Sequence, residues 1–174
     1  MSRPPTDEEF AELVHACWAS LYRTAYLMLG DAAEAEDLVQ TALAKTYARW
    51  RRVRSIDAAP GYARTTLVNT AASWFRKKGW RNERPTEVLP EAASTSHLES
   101  DRSDRRTVMN ALGTLPPRQR AVVVLRYYED LSVAQVAHAL GITEGTVKSQ
   151  TSEALSKLRA LLGDSVIPAG ANND

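Results

Sequence analysis

Basic and aromatic side chains are concentrated between residues 45 and 84, and together they could bind nucleic acid. Lysine and arginine attract phosphates without regard to base sequence, and aromatic rings can stack on unpaired bases. The composition therefore fits a single-stranded or melted nucleic acid. The alternative is that most rings belong to the core, which we expect of Trp50, Trp74 and Phe75. The segment contains Lys45, Arg49, Arg51, Arg52, Arg54, Arg64, Arg76, Lys77, Lys78, Arg81 and Arg84, interleaved with Tyr47, Trp50, Tyr62, Trp74, Phe75 and Trp80.

Residues suited to catalysis or metal binding do not cluster in the sequence. His15, His97 and His138 lie far apart, and Cys17 is the only cysteine. We therefore expect no metal, no cofactor and no internal disulfide, and Cys17 should be a buried small hydrophobe. The carboxylates of residues 31–37 could serve a nuclease, but they lie at a helix start without histidines or a second acidic cluster. The chain is not expected to be an enzyme.

A helix-turn-helix is predicted between Ser132 and Leu162. Ser132 begins a capping-box pattern, and Gly141 can end the first helix in a left-handed conformation. Thr143 can cap a second helix, whose Val147 would pack against the first. This arrangement favours a second helix that enters the DNA major groove, although an ordinary helical hairpin in a bundle core is the alternative. The outer face of the second helix carries Lys148, Ser149, Gln150, Ser152 and Glu153.

The N-terminal part contains three predicted helices. Apolar residues from Phe10 to Met28 recur at steps of three and four and predict the first. Asp31 and Glu34 have capping-box spacing for the second, which carries Trp50 near its end. The acids on that helix form either a solvated face or a docking surface for a basic partner. Residues 55–62 predict a loop, and a third helix should follow to about Lys78.

Residues 85–105 have the composition of a flexible linker, with prolines, serines and threonines but no apolar stripe. They would separate an N-terminal domain (residues 1–84) from a C-terminal one (residues 106–165), and residues 166–174 should form a disordered tail. The predicted fold is therefore all-α, with two small helical domains.

The length and composition of the chain agree with a protein of two small helical domains. At 174 residues the chain has room for one ordinary domain or two small ones. No apolar run approaches the roughly 20 residues needed to cross a membrane. The N-terminus lacks the features of a signal peptide, so we expect a cytoplasmic protein. The net charge of +1 conceals a division, because residues 7–37 are mostly acidic and residues 45–84 mostly basic.

Three segments resemble parts of bacterial sigma factors. GDAAEAEDLVQTALAKTYARW resembles their polymerase-binding helix, and GYARTTLVNTAASWFRKK resembles their promoter-melting helix. LPPRQRAVVVLRYYEDLSVAQVAHALGITEGTVKS resembles their C-terminal promoter-binding domain. The order of the segments and the absence of a middle domain are similar to the extracytoplasmic function group. The resemblance implies a factor that binds core RNA polymerase, directs it to specific promoters and helps to melt the minus-ten element.

The resemblance also implies roles for individual N-terminal residues. One set would dock on the clamp coiled coil of the largest polymerase subunit: Asp31, Glu34, Asp37, Leu38 and Gln40. A second set would open and hold the minus-ten strand, with Asn69 near the pocket of a flipped base: Tyr62, Arg64, Asn69, Arg76 and Lys77. Extruding a base costs a few kcal/mol, so stacking and a preformed pocket must offset it.

In the C-terminal domain the resemblance implies contacts with the minus-35 element and the beta flap of the polymerase. The minus-35 set is Thr143, Thr146, Lys148, Ser149, Gln150, Ser152 and Glu153. Arg118 and Arg126 match positions near the DNA phosphates. Many family members carry several arginines on this helix, whereas Glu153 can accept a hydrogen bond from cytosine and repels phosphate. An anti-sigma factor is a further partner that the group usually has.

The main rival is an ordinary helix-turn-helix repressor or activator. Such a protein would explain residues 132–162 but not the basic and aromatic segment before the linker. It would bind duplex DNA unaided, usually as a dimer on a palindrome.

Overall fold

The computed structural model describes residues 4–78 and 99–164, and within these ranges every regular element is helical. Two 3-10 turns, Trp50–Arg52 and Ile56–Ala58, connect the second helix to the third, and a π-helical turn, Val124–Tyr128, extends the fifth. The prediction of an all-α fold is confirmed. The α-helices are α1 (Asp7–Leu29), α2 (Ala32–Ala48), α3 (Ala59–Lys78), α4 (Glu99–Gly113), α5 (Pro117–Val123), α6 (Val133–Leu140) and α7 (Glu144–Leu162).

Side-chain caps set the ends of the first two helices. Thr6 Oγ1 accepts a hydrogen bond from the Glu9 amide, and Glu9 Oε2 accepts one from the Thr6 amide, at 3.3 and 2.7 Å. This capping box starts α1 before the apolar stripe begins. Gly30 ends α1 at φ 72°, in the left-handed region that suits glycine. The Asp31 carboxylate then accepts from the Glu34 amide at 2.8 Å and caps α2, as predicted.

The segment between α2 and α3 differs from its prediction. Trp50 lies in a 3-10 turn beyond the end of α2, although it is buried as expected and its Nε1 donates to the Thr6 carbonyl at 2.7 Å. The predicted loop of residues 55–62 is shorter, because α3 already begins at Ala59. Pro60 is compatible with this first turn, where a missing amide hydrogen leaves no helical bond unmade.

The helix α4 begins at Glu99, so residues 99–105 of the predicted linker are helical. They lack an apolar stripe, but arginine favours helices, and the packed end of the same helix supports them. At that end Ala111 and Leu112 pack with Leu158 of α7. Residues 85–98 of the linker, the tail from residue 166 and Trp80 lie outside the described residues.

One continuous apolar core joins the two halves of the chain. It contains Leu21 and Met28 of α1 together with Leu38 of α2 and Leu67 of α3. The same cluster continues into the C-terminal half through Val122, Leu125, Val136 and Leu140. The N-terminal and C-terminal helices therefore pack against each other directly in this arrangement.

The helix-turn-helix has the predicted local structure. Ser132 Oγ accepts from the Gln135 amide at 3.1 Å, and Gln135 Oε1 accepts from the Ser132 amide at 2.8 Å. Gly141 ends α6 at φ 66°, and Thr143 Oγ1 accepts from the Thr146 amide at 3.1 Å to cap α7. Val147 is fully buried. Leu161, near the end of α7, is 56% exposed, because the last turn of the helix extends past the core.

Among the residues described, no helix is both long enough and apolar enough to cross a membrane.

Candidate nucleic-acid and polymerase interfaces

The outer face of α7 is polar and accessible. The inner face is buried through Val147, Thr151, Ala154, Leu155 and Leu158, which fixes the rotation of the helix about its axis. Six of the predicted minus-35 residues therefore project outward or lie at the margin, and Thr143 caps the helix beside them. Lys148, Ser149, Ser152 and Glu153 are exposed, as is Thr143, whereas Thr146 and Gln150 are half-buried. This face can present donors and acceptors to base edges in a major groove.

Glu153 is held by a residue of another helix. The amide Nε2 of Gln119, in α5, donates to Glu153 Oε2 at 2.8 Å. The other end of the same amide, Oε1, accepts from Lys157 Nζ at 3.0 Å. Gln119 is only 4% exposed, so its side chain has little freedom. No local pattern in the sequence predicted this contact, which joins residues 34 positions apart.

The two predicted phosphate-contacting arginines, Arg118 and Arg126, are both half-buried. Arg126 Nη1 donates to the Leu131 carbonyl at 2.6 Å, which ties the π-helical turn to the residue before Ser132, the N-cap of α6. Arg118 lies in the first turn of α5. The neighbouring Arg120 is buried, where its Nη2 donates to the Leu115 carbonyl at 3.2 Å. That burial lowers the pKa of the Arg120 guanidinium.

Three of the five predicted minus-ten residues lie along one line of α3. Tyr62, Asn69 and Arg76 are separated by steps of seven, which is close to two helical turns each. Asn69 and Arg76 are exposed and Tyr62 is half-buried. Lys77 is exposed beside Arg76. Arg64 is exposed too, but its position in the helical repeat places it on a different side from Asn69.

The C-terminal half of the chain contacts this helix directly. Glu129 Oε2 lies 3.2 Å from Arg64 Nε, and the carboxylate also accepts a hydrogen bond from Thr24 Oγ1 of α1. Only 5% of the Glu129 side chain is exposed. At the other end of α3 the Arg76 guanidinium lies against Gly141 of the turn. Two of the predicted strand-binding arginines thus contact the helix-turn-helix region, and the sequence carried no local signal of it.

The start of α2 forms an acidic surface. Asp31, Asp37 and Gln40 are exposed and Glu34 is half-buried, whereas Leu38 is fully buried in the core. The prediction of Leu38 as a polymerase contact is therefore corrected, because its apolar side chain packs inward and presents no surface to a partner. Gln40 Nε2 donates to Glu36 Oε1 at 3.2 Å, which orients its amide on the outer face.

The described part of the chain contains no group of three or more histidine, cysteine, aspartate or glutamate side chains placed to hold a metal ion. Cys17 is buried, as predicted, and burial raises the pKa of its thiol.

Comparisons with known proteins give the family. Residues 9–81 match the family described as Sigma-70 region 2, and residues 111–160 match Sigma-70, region 4. The RNA polymerase sigma-E factor of Streptomyces coelicolor is 42% identical over 151 residues, which are 87% of this chain and 84% of the relative. The ECF RNA polymerase sigma factor SigL of Mycobacterium tuberculosis is 34% identical over 83% of each chain. This chain belongs to the extracytoplasmic function sigma factors of the sigma-70 family.

As a sigma factor, the chain is a transcription initiation factor that directs RNA polymerase to specific promoters. The sigma-factor family predicted from the resemblance of the three sequence segments is confirmed. The fold agrees: the sigma factor RpoE of Bartonella quintana, solved in complex with the anti-sigma factor NepR, superimposes with a TM-score of 0.62. The match covers 91% of this chain and 99% of RpoE at 24% identity.

Proposed function

We propose a division of labour among three surfaces of this sigma factor. The acidic surface at the start of α2 docks on the clamp coiled coil of the largest polymerase subunit, α3 holds the melted minus-ten strand, and α7 contacts the minus-35 element. One observation carries the proposal. Packing of the apolar core leaves residues of all three surfaces exposed, and each surface lies on a separate helix.

Docking through α2 is supported by its charge. Asp31, Glu34 and Asp37 lie in the first two turns, where the positive end of the helix dipole stabilises carboxylates without the need for basic neighbours. Asp31 and Asp37 are exposed, so a basic partner can reach their carboxylates. Gln40 completes this surface one turn further along.

Strand capture by α3 is supported by the line of Tyr62, Asn69 and Arg76. These side chains lie about two helical turns apart. The ring of Tyr62 can stack on one base, the amide of Asn69 can hydrogen-bond a second, and the guanidinium of Arg76 can neutralise a phosphate. Lys77 adds a second cation at the same end of the helix. Arg64 lies on a different side of α3 and is paired with Glu129, so it would contact DNA only after that ion pair is broken.

Contact with duplex DNA by α7 is supported by the confirmed helix-turn-helix, with Arg118 and Arg126 near the phosphates. The beta flap of the polymerase is the proposed second partner of this half. Each contact can be weak, because attachment to one polymerase raises the effective concentration of the others. An anti-sigma factor that covers the polymerase-binding surfaces is a further proposed partner.

The chain is proposed to act in the cytoplasm and to catalyse no reaction itself, since the polymerase performs the chemistry. Run-off transcription with core polymerase over a genomic promoter library tests the proposal. We expect transcripts from a subset of promoters that share minus-35 and minus-ten sequences. A purified chain that fails to associate with core polymerase, and binds a symmetric operator alone, would instead support the repressor alternative.

A further inference from the structure

Gln119 links two helices through both ends of its amide, and nothing in the proposed function assigns it a role. Its Nε2 donates to Glu153 Oε2 at 2.8 Å, and its Oε1 accepts from Lys157 Nζ at 3.0 Å. Gln119 is almost fully buried at the start of α5, so its amide cannot change position when the Glu153 side chain moves. Glu153, on the exposed face of α7, would by itself sample several rotamers. The buried amide therefore restricts the exposed carboxylate.

We propose that Gln119 is a positioning residue that makes Glu153 a specificity determinant for cytosine in the minus-35 element. This inference depends on the proposed contact between α7 and that element. Glu153 lies one turn after Ser149, on the same side of the helix as the other outward residues. With Oε2 engaged by Gln119, Oε1 is the oxygen available to a base.

Cytosine follows from the chemistry of the groove. A carboxylate only accepts hydrogen bonds, and cytosine presents an amino donor at N4 in the major groove. Adenine also presents an amino group, but its N7 acceptor lies beside it and would repel a carboxylate. Guanine and thymine present acceptors at the corresponding edge. A held carboxylate at this position therefore favours cytosine, whereas a mobile one would mainly repel phosphates.

Lys157 contributes to the same arrangement. Its ammonium lies one turn after Glu153 on α7 and donates to the carbonyl end of the Gln119 amide. This hydrogen bond fixes the amide so that the NH₂ end, and not the carbonyl, faces Glu153. Lys157 donates to Gln119, and Gln119 donates to Glu153, so the two hydrogen bonds run in the same direction.

The test is competitive in-vitro transcription by the reconstituted holoenzyme on a promoter library randomised across the minus-35 element. The wild type should prefer cytosine at one base pair by about tenfold. Glu153→Gln should move the preference at that pair toward adenine, the base that glutamine pairs with best. Gln119→Leu should reduce the cytosine preference to about twofold at the same pair and leave the other positions unchanged. Glu144→Gln removes an equal charge from the first turn of α7 and should change neither preference.

Two results would overturn the inference. One is a Gln119→Leu profile identical to the wild type at the pair that Glu153→Gln alters. The other is an equal loss across all sequences, which would indicate a purely structural role. If Gln119→Leu does not fold by circular dichroism, Lys157→Met replaces it. This substitution removes the outer hydrogen bond together with one positive charge. The loss of charge should weaken binding to all sequences alike, whereas the loss of the hydrogen bond should weaken the preference at that one pair. A wild-type holoenzyme without any minus-35 preference would overturn the proposed function itself, and the inference with it.

Discussion

Asn69 is the exposed side chain at the middle of the line formed by Tyr62 and Arg76 on α3. We expect Asn69→Ala to reduce open-complex formation by about tenfold, in keeping with the 1–3 kcal/mol that one base contact contributes. The measurement is permanganate reactivity of unpaired thymines in the minus-ten element. Asn110→Ala, an equal change at an exposed position of α4, is the control. Binding to core polymerase should be unaffected, and an equal loss of binding and melting would contradict the assignment.

The buried thiol of Cys17 gives a pH-dependent prediction. Burial raises its pKa, so at a given pH a smaller fraction is thiolate than in the unfolded chain. We expect Ellman's reagent to modify the native protein much more slowly than the urea-unfolded protein at pH 8. The native rate should rise as the pH is increased further. Equal rates in the two states would show that Cys17 is accessible.

At the scale of elements, one glycine ends α6 and another lies in the first turn of α7. Gly141 has φ 66°, and a Cβ there would lie 3.4 Å from Arg76 Nη1. Gly145 lies in the first turn of α7, where a Cβ would meet nothing closer than Thr143 Oγ1 at 3.8 Å. We expect Gly141→Ala to lower the free energy of unfolding by about 1 kcal/mol or more, because alanine is strained in the left-handed region.

Gly145→Ala is the control, and it should raise the free energy of unfolding by up to about 1 kcal/mol because alanine favours the helix. Both are measured by urea denaturation followed by circular dichroism. Effects of the same sign would mean that the backbone at Gly141 does not have the left-handed conformation.

Most of the elements could be predicted because their signals are local. Thr143, Gly141 and the pair Ser132 and Gln135 act within one turn of their own helix, so their residue types are sufficient. The sequence predicts too late a start for α3, because Pro60, which often marks a loop, is equally suited to a first helical turn. It does not predict the first turns of α4, because they lack an apolar stripe.

Some features of the candidate sites can also be predicted from local sequence, whereas others cannot. The outward face of α7 follows from the helical period once Val147 is buried, and so does the line through Asn69. The burial of Leu38 also follows from that period. The contacts of Gln119 with Glu153 and of Arg64 with Glu129 join residues distant in sequence. They depend on how whole helices pack, so no short pattern contains them.

At the scale of the whole molecule, the packed arrangement is too small for simultaneous contact with both promoter elements. Two sites 25 base pairs apart lie about 85 Å from each other along B-form DNA. A compact chain of this length has a radius of gyration of about 16 Å and is about 40 Å across. We therefore expect the two halves to separate when the factor contacts both elements of a promoter.

The contact between Glu129 and Arg64 should oppose that separation. We expect Glu129→Gln to increase the affinity of the isolated chain for a single-stranded minus-ten oligonucleotide several-fold at low salt, because Arg64 loses its carboxylate partner. Thr24 can still donate to the amide oxygen, so the substitution removes mainly charge. The measurement is fluorescence anisotropy.

Asp130→Asn is the matched control, since it removes the adjacent exposed charge, and asparagine tolerates the φ of 54° at that position. It should have little effect on the affinity. Equal increases for the two variants would indicate a general effect of net charge and not the release of Arg64.

The placement of Glu129 has a consequence for the sigma factor outside the polymerase. The Arg64 guanidinium is paired with the Glu129 carboxylate of its own chain. A DNA phosphate must displace that carboxylate before it can bind Arg64. We therefore expect chromosomal DNA to compete with the Glu129 carboxylate for Arg64, which would weaken non-specific binding away from promoters. We expect Arg64 to become available to DNA when the polymerase holds the two halves apart.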